Sequence, residues 1–68
     1  MSVQVKLNGE PRDLPDGSTV ALAVAELTAA SSGVAAAVNG EVLPRGSWPA
    51  TPLRDGDQVE IVTAVQGG

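Results

Sequence analysis

The sequence predicts an α+β fold in which one helix covers one face of a small mixed β-sheet. Three observations support this prediction: two Asn-Gly pairs each join short segments with strand character, one Ala-rich stretch has helical periodicity, and the last segment alternates as a strand does. Asn-Gly favours a two-residue hairpin turn because both residues tolerate a positive φ. A chain of 68 residues is expected to form a single domain, here over residues 1–68.

The first hairpin is predicted at the start of the chain. In residues 3–7 (VQVKL), apolar residues alternate with polar ones, which is the period of a half-buried strand. Asn8-Gly9 then turns the chain into a short second strand around Arg12 to Leu14. Prolines on both sides of this segment favour an edge strand, because proline has no N–H to donate to a neighbouring strand.

The helix is predicted from Val20 to about Ala30. This stretch contains neither Gly nor Pro, and Val20, Val24 and Leu27 recur at helical spacing to form one apolar stripe. Ala23 widens the stripe. The stripe is therefore expected to pack on the sheet.

The ends and the outer face of the helix give further expectations. Ser18 or Thr19 is expected to cap the N-terminus by accepting a hydrogen bond from a free backbone N–H. Gly33 is the expected helix stop. Leu22 lies off the apolar stripe and is expected to be partly exposed.

The second Asn-Gly pair, Asn39-Gly40, predicts a hairpin between strands at Val34 to Val38 and Glu41 to Leu43. Residues 45–52 (RGSWPATP) are expected to form a loop because Gly and Pro recur in them. Trp48 is expected to pack that loop onto the domain.

The motif Asp55-Gly56-Asp57 predicts a tight turn. Gly56 is expected at a positive φ, and the motif is too short for the ligand spacing of a calcium loop. Asn8 and Asn39 are likewise interpreted as turn formers and not as ligands.

The last strand, in residues 58–65 (QVEIVTAV), is predicted to return beside the first strand and to run parallel to it in the middle of the sheet. One set of its side chains faces the helix: Val59, Ile61, Thr63 and Val65. The other set faces away from the helix: Glu60, Val62, Ala64 and Gln66. A mixed sheet of about four to five strands in this order, with one helix on one face, is a β-grasp (ubiquitin-like) fold.

Composition excludes several classes of function. The chain has no Cys and no His, so thiolate chemistry, disulfides, zinc sites and histidine acid–base catalysis are not available to it. The net charge of −4, the four scattered basic residues and the single aromatic residue argue against nucleic-acid binding. No apolar run is long enough to cross a membrane, and no secretory signal is visible, so a cytoplasmic protein is expected. By itself it is expected to catalyse nothing.

The C-terminal Gly67-Gly68 is the remaining candidate for a working group. Residues 66–68 are expected to form a flexible tail that reaches roughly 10 Å beyond the last strand. Glycine has no Cβ, so Gln66, Gly67 and Gly68 could bring the terminal carboxylate into a narrow channel of a partner. The alternative is an inert, frayed end.

Residues 39–68 (NGEVLPRGSWPATPLRDGDQVEIVTAVQGG) resemble the second half of the ThiS family, the sulfur carriers of thiamin thiazole biosynthesis. Residues 7–20 (LNGEPRDLPDGSTV) resemble the first hairpin and helix start of that family. The specific feature is the combination of motifs: Asn39, Pro44-Arg45, Trp48, Asp55-Gly56-Asp57, Glu60-Ile61-Val62 and Gly67-Gly68.

This resemblance implies a function for the tail. An E1-like (ThiF-like) adenylating enzyme would use ATP to adenylate the carboxylate of Gly68, and sulfur from a cysteine desulfurase relay would then replace AMP. The resulting thiocarboxylate would donate its sulfur to thiazole synthase (ThiG-like). The carrier itself would bind no cofactor and no metal, and Gly68 would be its reacting residue.

The resemblance also favours a docking role for the sheet face away from the helix. Val62 and Ala64 are the candidate docking residues, with Glu60 as a charge at the rim. Without the resemblance, scattered exposed aliphatic residues would need no explanation. Arg45 is expected to pair either with a partner or with a nearby carboxylate, and the sequence does not decide between them.

Two other functions fit parts of the sequence. The small subunit of molybdopterin synthase uses the same tail chemistry with a different large subunit. A β-grasp binding module with an inert tail would need no chemistry at Gly68. A lysine-conjugated protein modifier is disfavoured because Lys6 is the single lysine.

Overall fold

The structure, a computed structural model, describes residues 1–28 and 33–63. In these two ranges the chain forms five strands, one α-helix and one 3-10 helix. In chain order they are β1 (Ser2–Leu7), β2 (Glu10–Pro15), α1 (Val20–Leu27), β3 (Val34–Val38), β4 (Glu41–Leu43), the 3-10 helix (Arg45–Ala50) and β5 (Gln58–Thr63).

The strands form one mixed sheet with the order β2-β1-β5-β3-β4. β5 lies in the centre, where it runs parallel to β1 and antiparallel to β3. The helix packs on one face of this sheet through residues of its apolar stripe. The predicted β-grasp architecture, with the last strand returning beside the first, is confirmed.

Both hairpin turns have the predicted geometry. Asn8 and Gly9 have φ values of 53° and 84°, and Asn39 and Gly40 have values of 52° and 85°. Positive φ at both central residues twists the turn to match the twist of its strands. β2 is longer than predicted and includes prolines at its second and last positions. They are tolerated because β2 is an edge strand, where a missing backbone N–H on the solvent side breaks no strand pairing.

The helix is shorter than the sequence predicts. Val20, Ala23 and Val24 are buried, and Leu22 is 38% exposed, as expected. Leu27 is 40% exposed, so the prediction that it continues the buried stripe is wrong. The reason is that α1 ends at Leu27 and the next residue, Thr28, adopts an extended backbone. Ala30, the predicted end, lies outside the described residues.

Gly33 is not the helix stop. It has a φ of 70° and lies directly before β3, six positions after Leu27, the last residue of the helix. A glycine at positive φ there turns the chain into β3. The tolerance of glycine for positive φ is thus used at the start of a strand and not at the end of the helix.

The start of the helix is held by backbone and not by a side-chain cap. Thr19 occupies the N-cap position without a side-chain capping hydrogen bond, and the Ser18 hydroxyl donates instead to the carbonyl of Pro15. The N–H of Val20 donates to the carbonyl of Thr51 at 3.0 Å. The expected side-chain cap is therefore wrong: the Ser18 hydroxyl is used in the preceding turn, and a distant backbone carbonyl satisfies the N–H of the first helical residue.

Part of the predicted loop is ordered as the 3-10 helix. The N–H of Ser47 donates to the carbonyl of Pro44 at 2.9 Å, and Pro49 fits a short helix that needs few internal bonds. Trp48 is 5% exposed, and its indole N–H donates to the carbonyl of Leu43 at 3.1 Å. Trp48 thus packs this segment onto the domain, as predicted.

One apolar cluster forms the core between the sheet and the helix. Its buried members are Val3, Val5, Leu7, Leu14, Val20, Ala23, Val24, Ala36, Trp48, Leu53, Val59 and Ile61. Among residues 1–28 and 33–63 there is no helix of the length and apolar character needed to cross a membrane.

Candidate functional site: β5 and the open face of the sheet

β5 divides its side chains between the core and the open face of the sheet. Val59 and Ile61 are 0% and 4% exposed, whereas Val62 is 64% exposed and Glu60 also faces solvent. The predicted register is confirmed for these four residues. Thr63 is exposed although it lies on the side of Val59 and Ile61, so burial along β5 ends at Ile61.

The predicted tail lies outside the described residues. Ala64, Gln66, Gly67 and Gly68 all follow Thr63, the last residue that the structure describes. Their predicted roles, and that of residues 66–68 as a flexible segment, therefore stay predictions.

Exposed side chains of three strands come together beside Val62. The register places Ala35 opposite Val62, and Ala37 opposite both Glu60 and Val42. Val42 is 73% exposed. We call Ala35, Ala37, Val42, Glu60 and Val62 the open-face patch; it surrounds a shallow depression of about 190 Å³.

The patch is shallow because of the alanines of β3. Their methyl groups leave space between the longer side chains of Val42 and Val62, which lie on either side. The other half of the same face is polar, since β1 presents Gln4 and Lys6 there. The open-face patch is thus an apolar surface bounded by the carboxylate of Glu60 on β5 and by the polar side chains of β1.

Arg45 does not line this depression. Its guanidinium carbon lies 5.4 Å from the centre of the Trp48 ring, a cation–π distance. Among the described residues the salt bridge is formed by Arg12 and Glu26, not by Arg45. The contact of Arg45 is therefore with its own 3-10 helix, and the exposed guanidinium is separate from the open-face patch.

The Asp55-Gly56-Asp57 motif is a turn, as predicted, with Gly56 at a φ of 87°. Both aspartates bind backbone: Asp55 accepts from the N–H of Gln4 at 2.7 Å, and Asp57 accepts from the N–H of Arg54 at 2.8 Å. Residues 1–28 and 33–63 contain no group of His, Cys, Asp and Glu that could hold a metal ion.

Two asparagines have contacts that the sequence interpretation missed. The side-chain carbonyl of Asn8 accepts from the N–H of Ile61 at 2.8 Å, and its amide donates to the carbonyl of Ile61 at 3.1 Å. The side chain of Asn39 accepts from the N–H of Gln58 at 3.0 Å and donates to Asp57 at 3.1 Å. Each hairpin turn is thus hydrogen-bonded to β5 or to the residue before it.

One signal in the sequence could have indicated these contacts. Asp-Gly or Gly-Gly also satisfies this type of turn, yet Asn occupies the first position of both. The Asn carboxamide has the same acceptor and donor as a peptide unit, so it can pair with a strand.

The fold and this site define a small β-grasp protein of the ubiquitin-like class, in which the central strand leads to a Gly-Gly end. The model of the ThiS family matches the chain over residues 5–68. The chain belongs to the ThiS family.

Known proteins agree with this assignment. The chain is 45% identical over 64 residues to the sulfur carrier protein ThiS of Thermus thermophilus, covering 94% of this chain and 98% of that protein. The crystal structure of the thiamine biosynthesis protein ThiS from Geobacter metallireducens superposes with a TM-score of 0.77 at 33% identity, covering 97% of this chain and all of that one.

A longer protein also matches. Thiazole synthase of Paramagnetospirillum magneticum is 35% identical to this chain over 66 residues, which is 97% of this chain. The chain spans 20% of the length of that protein. A segment similar to this chain is thus part of a polypeptide named thiazole synthase.

Proposed function

We propose that this protein is a sulfur carrier of thiamin thiazole biosynthesis, with Gly68 as the residue that carries the sulfur. The observation that supports this best is the family match, which runs from residue 5 to residue 68 and so includes Gly67-Gly68. The 45% identity to a protein named as a sulfur carrier supports the same function. The Gly-Gly end also fits the molybdopterin branch, but the similarity to thiazole synthase favours the thiazole branch.

In the proposed reaction a carboxylate oxygen of Gly68 attacks the α-phosphate of ATP on an adenylating enzyme. Pyrophosphate leaves, and the product is an acyl adenylate. A persulfide from a desulfurase relay then attacks the acyl carbon through its outer sulfur, and AMP leaves to give an acyl disulfide. A thiol cleaves the S–S bond of this intermediate, which releases the thiocarboxylate and leaves the relay cysteine and the thiol joined in a disulfide. One oxygen of Gly68 is thereby replaced by sulfur, and the thiocarboxylate is the sulfur donor for the thiazole ring.

The carrier contributes access and not catalysis. Glycine has no Cβ to shield its carbonyl carbon, so the sulfur nucleophile meets no branched side chain at Gly67 or Gly68. Because the chain has no Cys or His, the nucleotide site, the sulfur nucleophile and the acid–base groups are assigned to the partners. Dependence on a cellular ATP pool and on these enzymes is the reason to expect the protein in the cytoplasm.

Thiazole synthase is the proposed acceptor of the sulfur. In the Paramagnetospirillum protein a segment similar to this chain lies in one polypeptide with that name. Covalent linkage keeps two domains at a high effective concentration, which is advantageous when they must meet repeatedly. A docking surface on the carrier domain would serve the same purpose.

The open-face patch is the proposed docking surface. Val42 and Val62 are the large hydrophobic residues exposed on it, and Glu60 supplies a charge that would orient a partner. Val62 lies two residues before Ala64, the other predicted docking residue, and six residues before Gly68. The patch is therefore close in sequence to the proposed reacting residue. Arg45, which contacts Trp48, is the second candidate contact with a partner.

The mass of the C-terminal peptide tests the proposal. The purified protein is incubated with an adenylating enzyme of the ThiF type, ATP, a cysteine desulfurase with cysteine, and a thiol reductant. We expect the peptide that ends at Gly68 to gain the mass difference between sulfur and oxygen. Adding thiazole synthase and its other substrates should return the peptide to its original mass.

Two controls make this test specific. Omission of ATP should abolish the mass change, because the carboxylate then has no leaving group to lose. A chain that ends in a Gly68 carboxamide should gain no sulfur under any condition. If the parent peptide keeps its mass in the complete reaction, the tail is inert and the proposed function is wrong.

A further inference from the structure

Three depressions lie side by side on the open face of the sheet. The first, of about 620 Å³, lies beside β1 and the Asp55-Gly56 turn. The second, of about 290 Å³, lies over β1 and the first half of β5, and the third is the apolar depression of the open-face patch. Lys6 lines the first and the second, and Glu60 lines the second and the third. Two side chains of opposite charge therefore stand between the three depressions.

These two charges are available to a partner. Both side chains are exposed, and in the described part of the chain the salt bridge is formed by Arg12 and Glu26 and involves neither of them. The register places Lys6 opposite Gln58, so Glu60 lies one strand across and two residues along. At ordinary strand dimensions their Cα atoms are roughly 8 Å apart. The open face thus presents an ammonium and a carboxylate in a fixed order.

Lys6 is the one cation that the described strands present on this face. The other basic strand residue, Arg12, lies opposite Val5 in the register and so faces the helix side, where it contacts the helix. Acidic side chains on the open face include Asp13 of β2 and Glu60 of β5. A carboxylate on a partner therefore has a single matching charge among the described strands, at Lys6.

We propose that Lys6 and Glu60 determine the orientation in which thiazole synthase docks on the open face. The partner surface would carry a carboxylate opposite Lys6, a cation opposite Glu60 and an apolar side chain in the third depression. This inference rests on the proposed function, which supplies both the partner and the docking surface. It adds a residue of β1 to that surface and requires a particular order of charges on the partner.

The physical reason is that apolar contact alone does not fix how two proteins are rotated relative to each other. Hydrophobic attraction has no direction, and Val42 and Val62 could be covered in several orientations. Two opposite charges at a fixed separation remove this ambiguity, because a half turn of the partner brings like charges together, and such contacts are costly. The order of the charges, and not only their sum, would therefore determine affinity.

An exchange of the two charges separates their order from their sum. The double variant Lys6→Glu/Glu60→Lys keeps the net charge of −4 and any attraction between the two side chains. Both contacts with thiazole synthase become repulsive, so Kd should rise about 100-fold in a calorimetric titration. Each single reversal should raise Kd about tenfold, and the two effects should multiply because they act at separate contacts.

Arg12 and Glu26 provide a matched exchange on the helix side of the sheet. Arg12→Glu/Glu26→Arg also keeps the net charge, and it exchanges the partners of a salt bridge that is already present. The Kd for thiazole synthase should stay within about twofold of the parent. Circular dichroism during heating should show a cooperative melt near the parent temperature for both exchanges.

A neutral variant keeps the test possible if the exchange of Lys6 and Glu60 does not fold. Lys6→Gln/Glu60→Gln has the same net charge as the parent and removes both contacts without adding repulsion. Its Kd for thiazole synthase should rise about tenfold, which lies between the values for the parent and the exchanged variant.

Ionic strength identifies charge as the cause. Salt at about 1 M shortens the Debye length to ~3 Å, from ~10 Å at 0.1 M. Screening weakens attraction in the parent complex and repulsion in the exchanged variant, so the difference in Kd between them should shrink to less than about tenfold. A difference that does not depend on salt would be an effect of side-chain shape and would contradict the inference.

A second copy of this chain is the other candidate for the open face. In a two-fold contact Lys6 of each copy would face Glu60 of the other, so the exchanged variant would associate with itself as the parent does. Sedimentation that shows such association in both proteins, together with parental affinity of the exchanged variant for thiazole synthase, would overturn the inference in favour of a dimer.

Two further results would overturn the inference and leave the proposed function in place. One is parental affinity for thiazole synthase when Lys6 and Glu60 are exchanged, with no association between copies. The other is an equal loss of affinity when Arg12 and Glu26 are exchanged. A parent protein that does not bind thiazole synthase is a different result, because it contradicts the proposed function itself, and the inference falls with it.

Discussion

Ile61 and Val62 are neighbours in β5 whose side chains lie on opposite faces of the sheet. Ile61 is 4% exposed and belongs to the core, whereas Val62 is 64% exposed on the open-face patch. Since side chains alternate along a strand, a slip of one residue would exchange these environments. The same substitution at the two positions should therefore have different consequences for folding.

Ile61→Asp should unfold the protein. An unpaired carboxylate in the core costs several kcal/mol, which is comparable to the roughly 3–5 kcal/mol that the core of a domain this small supplies. Circular dichroism during heating measures the outcome, and Val62→Asp is the matched control that should melt cooperatively near the parent temperature. A cooperative, parent-like melt for Ile61→Asp would contradict the observed register.

Residue environments in β5 could be predicted from the sequence, but the contacts of the turn asparagines could not. Alternation is a local pattern, so Val59 to Val62 follow from it directly. The bonds of Asn8 depend on Ile61, which is 53 positions away in the chain. Turn propensity explains why Asn is acceptable at that position but does not indicate what its side chain will bind.

At the scale of elements, β5 joins the core to the open-face patch. Val59 and Ile61 pack under the helix, whereas Glu60 and Val62 face the depression beside Val42. The patch is assembled from β3, β4 and β5, and hence depends on their register. A surface formed in this way can be altered at one exposed side chain without disturbing the strands.

Val62→Asp should weaken docking to the adenylating enzyme and to thiazole synthase while the domain stays folded. A carboxylate added beside Glu60 places two like charges on a surface that a partner must desolvate, and a tenfold or greater rise in Kd, equivalent to ~1.4 kcal/mol or more, is expected. Calorimetric titration with each enzyme measures this change.

Two further variants define the surface in that experiment. Val42→Asp, on β4 in the same patch, should weaken binding as Val62→Asp does. Ser2→Asp, on β1 and exposed, adds the same charge outside the patch and should bind as the parent does. Equal binding by all three variants and the parent would mean that partners use another surface.

The element boundaries show where sequence patterns lose information. The hairpins and β5 were predicted with their correct order because turn signals delimit them. The helix end was not, since neither Thr28 nor Gly33 identifies by itself which residue leaves the helical conformation. The 3-10 helix around Trp48 was expected as loop, because its Gly and Pro residues do not favour regular structure and burial of Trp48 is a tertiary effect.

At the scale of the whole molecule, the strand that precedes the Gly-Gly end in the sequence lies in the middle of the sheet. β5 is central, and Ile61 is the last core residue among those that the structure describes. The topology was predictable because a helix that must cover one sheet face leaves few arrangements for two hairpins and a final strand. The proposed reacting group, the carboxylate of Gly68, follows only from the resemblance, since physical chemistry alone leaves an inert tail as an alternative.

Addition of one alanine after Gly68 should abolish sulfur transfer without changing the melting temperature. The former terminal carboxylate becomes an amide, which cannot be adenylated. The new carboxylate lies about 3.5 Å further along the chain, and a displacement of roughly 1 Å can already cost ~100-fold in rate. The added residue follows Ile61, the last core residue within the described part of the chain, by eight positions (69 − 61), so the described core should be unaffected.

One alanine added before Met1 is the matched control for that extension. The Met1 side chain is fully exposed, and its carbonyl keeps its hydrogen bond from the N–H of Asp16 at 3.1 Å. This variant should be adenylated at the parental rate, because the addition lies at the opposite end of the chain from the reacting carboxylate. ATP–pyrophosphate exchange with the adenylating enzyme compares the two forms, and mass spectrometry verifies that neither has been trimmed. If the intact C-terminal extension exchanges as fast as the parent, the activated group is not the carboxylate of Gly68.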